Sequence, residues 1–557
     1  MFKINCKMNI KEIALTLIFT LTLSNGFCQE NQNNSTLTKS KKLSNKELKS
    51  WYHKDFEKDT IPGISLDKLY NSGLLSKTKG KEVIVAVIDT KLDIDHEDLK
   101  GYIWINKGEI ANNNIDDDKN GYIDDKNGWD FLSNTKGQYI KYQSSEIVRI
   151  IKKYQHKFET KNSTDLDENA SKEHRLYLEA KKQLESKIER YKTTLGNFDK
   201  WITKYDSANN SLKGLLKKEN ISIQDLNNLL KTAKDSVTIT HAKFLKNAKE
   251  TDLINTLTHY KKWYGGMLNT TLNLNYNERE VIGDNPNDIN DKFYGNPNVS
   301  GEVPFNHSIS VSGVIGANRN NNIGAKGFST NIKIMPVVMV ASGDEHDKDI
   351  ALAIRYAVDN GARVINMSWG KRFSLHQDWV LDAIKYAESK NVLIVHGAGN
   401  DAINTDVNEY YPKDHQGDLE LVNNFIAVGA SGYNLSKNLL TDFSSYGKKT
   451  VDVFAPGVKI YTTEIDDKYQ FSRGTSLAAP MVSGLAGLLW SYYPELSASE
   501  IKEIIMKSGT SYDTLVTISD TNNQKKQIPF SELSKSGKII NAYNAFIMAS
   551  KLKKDTK

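Results

Sequence analysis

Four stretches of this chain share a pattern that few folds can hold. "VIVAVID" (83–89), "ARVINMSWG" (362–370), "NVLIVHGAGN" (391–400) and "NFIAVGAS" (424–431) each carry an apolar run that ends on small or polar residues. Continuous apolar runs imply strands buried on both faces, as in parallel sheets. Between them lie "KDIALAIRYAVDNG" and "HQDWVLDAIKYAESK", whose apolar residues recur every three to four positions, the period of a helix packed by one face. Alternating strands and helices predict an α/β fold, a doubly wound, mostly parallel sheet flanked by helices. Function in that architecture gathers at the carboxyl ends of the strands, where Asp89 and Asn400 fall.

Residues 138–285 have a different texture. They contain no proline, few glycines and much Lys, Glu, Leu and Tyr. Leu176, Leu178, Leu184 and Ile188 sit among charges at rough helical spacing, which predicts a long helical insertion, an antiparallel hairpin being one form. It reads either as a solvated spacer or as an element controlling substrate access. At the other end, "MFKINCKMNIK" is a basic region, followed by the apolar "IALTLIFTLTL", too short for a stable membrane anchor. Gly26 and Cys28 are small residues at the positions a signal peptidase reads, so residues 1–28 are expected to be a cleaved signal peptide. A lipid anchor on Cys28 is the alternative, with bulky Phe27 standing against it. Residues 29–50 are polar and are expected to be a disordered lead-in, and 51–550 a catalytic domain interrupted by the insertion. Cys6 and Cys28 are the only cysteines, so the mature chain holds no disulfide. No other stretch reaches membrane-spanning length, and the expectation is an exported protein, secreted or periplasmic, monomeric, with no transmembrane helix in its mature form. With 74 basic against 68 acidic residues the surface is mixed and gives no case for nucleic acid.

"SRGTSLAAPMVSGLAGLLWSYYPEL" (472–496) carries the strongest chemical signal. Pro480 is acceptable only near a helix start, so the helix should begin close to Ser476. Backbone N–H groups there point at developing negative charge. Alone this is equally a buried helix with a capping serine. It follows, in order, "VIVAVIDTKLDIDHEDL", "NHSISVSGVIGA" and "VLIVHGAGN". Together these segments resemble the subtilisin-like serine proteases (subtilases, peptidase S8 family), over roughly residues 51–131 and 286–550. The resemblance implies a subtilisin-like fold and an exported serine endopeptidase that cleaves proteins or peptides through an acyl-enzyme on Ser476. Asp89, His307 and Ser476 would form the triad, in the chain order that subtilisin uses. A serine hydroxyl needs a base within hydrogen-bond reach, imidazole has the pKa for it, and a buried carboxylate fixes the tautomer. Asn400 and the Ser476 N–H would hold the oxyanion. His96 and His396 are the rival histidines, and neither opens a helix as His307 does. Ser368, Trp369 and Gly370 would pair with extended substrate, with Gly397, Ala398 and Gly399 as the opposite wall of the primary pocket. Tyr410 falls at the pocket floor, where the family often has a small residue, so large P1 side chains are expected to be excluded.

Two departures stand out. The family's His-Gly-Thr-His-Val is here His307-Ser308-Ile309-Ser310-Val311, and Lys91 replaces a glycine two residues after Asp89. Side chains there threaten to narrow the cleft or tilt the imidazole. They motivate a second reading, a catalytically impaired subtilase that binds peptides or serves as a scaffold. A metal site is also suggested. "DDDKNGYIDDKN" (116–127) places Asp116, Asp118, Asn120 and Asp124 at positions 1, 3, 5 and 9, with Gly121 at the turn and the Tyr122 carbonyl available. That is hard-oxygen spacing for structural Ca2+, although Asn127 stands where an EF-hand has glutamate. A solvated turn is the alternative. The resemblance implies a further calcium position at Asp98 and Asn321.

Overall fold

A computed structural model of the chain describes residues 43–77, 79–159, 166–301, 307–519 and 524–555. The signal-peptide reading, with Cys6 and Cys28, lies outside them. The described residues form two compact units, one of residues 147–276 and one of the remainder.

The larger unit is built on a nine-stranded sheet. In chain order its strands are β1 (Val83–Asp89), β2 (Trp129–Asp130), β3 (Ile332–Val338), β4 (Val364–Met367), β5 (Leu393–Gly397), β6 (Phe425–Ser431) and β7 (Val453–Pro456). A hairpin of β8 (Ile460–Glu464) and β9 (Lys468–Ser472) stands apart, and β10 (Thr510–Ser511) and β11 (Lys538–Ile539) complete the edge. The spatial order is β10-β11-β7-β6-β5-β4-β1-β3-β2, and every pairing except β10 with β11 is parallel. This is the α/β class expected from the apolar runs. Alternation along each strand feeds two cores. Val85 and Val87 lie in one, Ala86 and Ile88 in the other.

Six long helices of this unit flank the sheet or its hairpin: α1 (His307–Gly316), α2 (Asp347–Asp359), α3 (Gln377–Ser389), α4 (Thr475–Tyr492), α5 (Ala498–Ser508) and α6 (Ala542–Asp555). Leu477, Met481, Val482 and Leu485 of α4 join Val85, Val395 and Val428 in the first core, while Ile350, Ile354, Val380 and Ile384 of α2 and α3 fill the second. The small residues of α4, buried almost throughout, let it lie close against the strands.

The lead-in departs from expectation. Its end, from Leu43, is ordered: Ser44 and Glu47 form a reciprocal capping box on the helix Asn45–Leu48. The chain then buries Trp51, Ile64, Leu66 and Leu69 in the first core, and the Trp51 indole N–H donates to the carbonyls of Val458 and Lys459. Within the lead-in itself, Leu43 in that core and Leu48 packed against it hold the end down.

The smaller unit is helical, as expected, and narrower than residues 138–285. Its longest helix, Glu168–Leu216, is capped by Asp167. Tyr177, Ala180, Leu184, Phe198, Ala208 and Leu212 of that helix are buried, Leu176 and Ile188 are half-buried, and Leu178 is exposed. Helices Ile223–Thr232, Ser236–Glu250 and Leu253–Asn269 complete small cores around Leu212 and Leu245, and around Phe198, Leu257 and Tyr264.

Candidate active site

Register places the candidate residues along one edge of the sheet. Ile88 lies opposite Met367, and Met367 opposite His396, so the ends of β1, β4 and β5 come level. Asp89, Ser368 and Asn400 follow from these ends.

Asp89 is fully buried, and His307 opens α1 above it. The His307 Nδ1 lies 2.8 and 2.9 Å from the two Asp89 oxygens. A ring N–H donated there leaves Nε2 as the acceptor. Burial pulls the imidazole pKa down, but the Asp89 carboxylate, with a contribution from Glu345, more than offsets this and leaves it above the usual 6.5. Thr90, which the sequence reading passed over, ties the two together. Its N–H donates to Asp89 Oδ1 (2.7 Å), and its Oγ1 accepts the Ser308 N–H (3.1 Å) in the first turn of α1.

Ser476 stands in the first turn of α4, after Gly474, whose φ of 142° suits a residue without a side chain. Its Oγ donates to the Ser368 carbonyl (2.9 Å), and the Ser368 Oγ donates in return to the Ser476 carbonyl (3.0 Å). Among the described residues no hydrogen bond joins Ser476 to His307. Below this pair, Asn366 donates to the Ser368 Oγ (2.9 Å) and accepts from the Ser483 Oγ (2.9 Å). The Asn400 Oδ1 accepts the Thr475 N–H at 2.9 Å. A backbone N–H can only donate, so the orientation of this amide is fixed and Nδ2 is left as a donor beside the Ser476 N–H.

The rival histidines are engaged elsewhere. His96 is buried, with Nε2 3.2 Å from the Lys468 carbonyl and Nδ1 accepting the Asp98 N–H. His396 is bonded to the Trp369 carbonyl (2.7 Å), and burial pushes its pKa down to about 4.

The departures from the family pattern point away from the cleft. Ser308, Ile309 and Ser310 are buried in the first turn of α1. Lys91 is buried with its Nζ 3.2 Å from Asp130 and 4.8 Å from the centre of the Tyr139 ring. Burial raises the Asp130 pKa to about 6, with Lys91 pulling the other way. Trp369 is likewise buried, its indole N–H donating to the Ile88 carbonyl (2.6 Å) and its own carbonyl bonded to His396. Tyr410 stands between Gly370 and Gly399, whereas Gly397 faces Thr475 and Ala398 is buried.

The acidic loop is arranged differently from its sequence spacing. Among the described residues, one group of three carboxylates has ligand atoms within 4.8 Å of one another: Glu109, Asp118 and Asp125. Burial, with Asp118 adding to it, pushes Asp125 up to about 6 against bonds from Tyr356, Asn106 and Asn120. Crowded, partly desolvated oxygens of this kind fit a hard divalent cation. Asp116 instead accepts the N–H groups of Asn120 and Gly121, and Asp124 those of Asn113 and Asn114. Asn120 donates its amide to Asp118 and Asp125, and the Tyr122 ring packs on Trp129 and Tyr356. Asp98 and Asn321 do meet, but as donor and acceptor. Asn321 turns its amide N–H to Asp98 (2.7 Å), and the carboxylate also takes the N–H groups of Asn318 and Ala325. Both groups are supplied with donors: Glu109 takes the N–H groups of Asp118 and Asp124, and Asp118 and Asp125 share the amides of Asn106 and Asn120.

Sheet and site define a doubly wound α/β protein with aspartate, histidine and serine at strand ends and helix starts, in that chain order. The subtilase family model matches residues 80–532, and the chain belongs to the subtilase family. It is 38% identical over 187 residues to a thermophilic serine proteinase of Bacillus sp. (strain AK1), covering 33% of this chain and 43% of that protein. It is 28% identical over 322 residues to the cell wall-associated protease of Bacillus subtilis (strain 168), covering 58% and 31%. Subtilisin DY of Bacillus licheniformis is 30% identical over 252 residues, covering 44% and 82%. The chain thus spans less than half the length of the first two relatives.

Proposed function

We propose that this protein is an exported serine endopeptidase. The observation that carries the reading is the pairing of His307 Nδ1 with both Asp89 oxygens, which leaves Nε2 as the acceptor that a base needs, with Ser476 in the first turn of α4 as the nucleophile it would serve. An extended peptide would pair along Ser368–Gly370 and face the Gly397–Gly399 wall. Rotation of the Ser476 side chain would pass its hydroxyl from the Ser368 carbonyl to Nε2. Oγ then bonds to the scissile carbonyl carbon as Nε2 takes the proton, and Asp89 stabilises the imidazolium. Negative charge gathers on the carbonyl oxygen, where Asn400 Nδ2–H and the Ser476 N–H donate to it. Collapse breaks the C–N bond, and His307 returns the proton to the leaving amine. Water, deprotonated by the same base, releases the acid product and restores Ser476.

Calcium bound by Glu109, Asp118 and Asp125 would neutralise the loop and add stability in a mature chain without thiols. Export rests on the expected signal peptide at residues 1–28.

A second reading, peptide binding without turnover, is favoured by the Ser476 hydroxyl lying on the Ser368 carbonyl instead of on His307. A fluorophosphonate probe separates the two. Labelling of the wild type but not of Ser476→Ala is expected; folded wild type that takes no label would replace the enzyme reading with the binding one.

A further inference from the structure

The groove beside Ser476 is plugged. For attack, the scissile carbonyl carbon must lie against the Ser476 Oγ with its oxygen toward Asn400 Nδ2. A peptide paired along Ser368–Gly370 then directs the side chain next to that carbonyl between this strand and the Gly397–Gly399 turn. Both walls end in glycine there, as if to leave room. The room is taken by Tyr410. A Cβ on Gly370 would lie 2.6 Å from Tyr410 Cζ, and one on Gly399 2.9 Å from the same atom, so one ring fills the gap between the walls.

The ring cannot retreat inward. Behind it a cavity of about 20 Å³, lined in part by His396, Ala398 and Pro412, holds about one water and no phenol. The His396 ring closes the inner side, its centre 5.6 Å from that of Tyr410. The backbone is stitched down at the next residue. The Lys371 N–H donates to the Tyr411 carbonyl (3.0 Å), and the Tyr411 N–H donates back (2.8 Å). Lys371 itself is anchored by a fully buried ammonium, 2.9 Å from Asp347 and 3.2 Å from Glu146. At the rim, Arg372 from one wall reaches to 3.8 Å from Asp401 of the other.

We propose that Tyr410 is the specificity-determining residue of this site and restricts it to substrates with Gly, Ala or Ser before the scissile bond. This rests on the endopeptidase reading above and names its substrate class. A side chain of phenylalanine size must share the space of a fixed ring, whereas a methyl need not.

The test uses the full mature chain and peptides that differ only at P1. We expect kcat/KM for Ala to exceed that for Phe by about 100-fold, within the range that a tightly fitting pocket supplies. Tyr410→Ala should raise the Phe-to-Ala ratio at least tenfold, and Tyr410→Phe, which keeps the ring, should leave the ratio low. A P1 profile of wild-type cleavage in a denatured protein mixture gives the same answer if Tyr410→Ala does not fold. Wild type that cleaves after Phe or Leu as readily as after Ala overturns the proposal, as does an unchanged ratio in folded Tyr410→Ala. Fluorophosphonate labelling keeps the readings apart: labelling without P1 discrimination refutes only the plug, and absence of labelling refutes the endopeptidase reading beneath it.

Discussion

Replacing Thr90 with valine removes one oxygen and almost nothing else. The two side chains have nearly the same shape, and the backbone N–H that donates to Asp89 Oδ1 remains. The loss is the acceptor for the Ser308 N–H, at 3.1 Å and buried, in the first turn of α1. Loss of a capping acceptor over a buried donor costs about 1–2 kcal/mol, which thermal and urea melts resolve. The catalytic consequence should be larger. His307 immediately precedes Ser308, so an unpinned helix start lets the imidazole drift from Asp89. A displacement on the order of an ångström lowers kcat by about 10- to 100-fold. The sign of the pH effect follows from the same contact. His307 must be neutral to accept a proton, so activity rises through its pKa, and Asp89 is what holds that pKa above 6.5. Weakening the contact lowers the pKa, and the acid limb of kcat/KM should move to lower pH. Thr90→Ser restores the oxygen and should restore both rate and limb. A Thr90→Val protein with reduced stability, kcat within twofold of wild type and an unmoved acid limb would refute the argument and leave Thr90 as a helix cap only.

Asn400→Ala should lower kcat about 100- to 1000-fold with a small change in KM, a magnitude known from a subtilisin oxyanion donor, in steady-state assays of the same peptides. A chelator should lower the melting temperature of the wild type and do so far less in Asp125→Ala; a cation present at 100 times its Kd contributes about 2.7 kcal/mol, and melts with and without calcium measure it. Arg279→Met should destabilise the larger unit by about 3–5 kcal/mol in urea titration, because Arg279 holds the fully buried Asp349 through bonds of 2.8 and 3.0 Å and also contacts Asp284.

What was legible in the sequence was local. Buried strands announce themselves by apolar runs, and a serine beside Gly474 and Pro480 announces a helix start. What was not legible depends on partners distant in the chain or on loop conformation. Spacing put Asp116 and Asp124 in the metal group, but the loop folds with positive φ at Asn112, Asn114, Lys119 and Asp124, and its carboxylates cap backbone N–H groups close by. Glu109 and Asp125 arrive beside Asp118 only once that loop is closed. Lys91 is similar: nothing near it in sequence names Asp130 as its partner, and without a partner a lysine beside Asp89 looks like an obstruction. In the helix Glu168–Leu216 the leucine spacing marks the helix, while its buried face also needs Tyr177 and Ala180, which bury as effectively as Leu184.

The altered histidine box is explained by what α1 packs against. The Thr462 hydroxyl donates to the Ser310 carbonyl (2.7 Å), that of Thr463 to the Ile309 carbonyl (2.6 Å), and the Ser310 hydroxyl to the Thr463 carbonyl (3.1 Å). These bonds hold α1 close to β8, close enough that a Cβ on Gly313 would lie 2.1 Å from Thr463 Oγ1. The Ser310 side chain thus faces the hairpin and Ile309 lies in the first core, while the Ser308 hydroxyl is buried without a hydrogen-bond partner. The imidazole is oriented separately, by Asp89 on one ring nitrogen and by the Thr90 cap at the helix start. Two sets of contacts that share a helix but no side chain can vary independently. A box altered at 308, 309 and 310 is thus compatible with a histidine whose Nδ1 is held by Asp89.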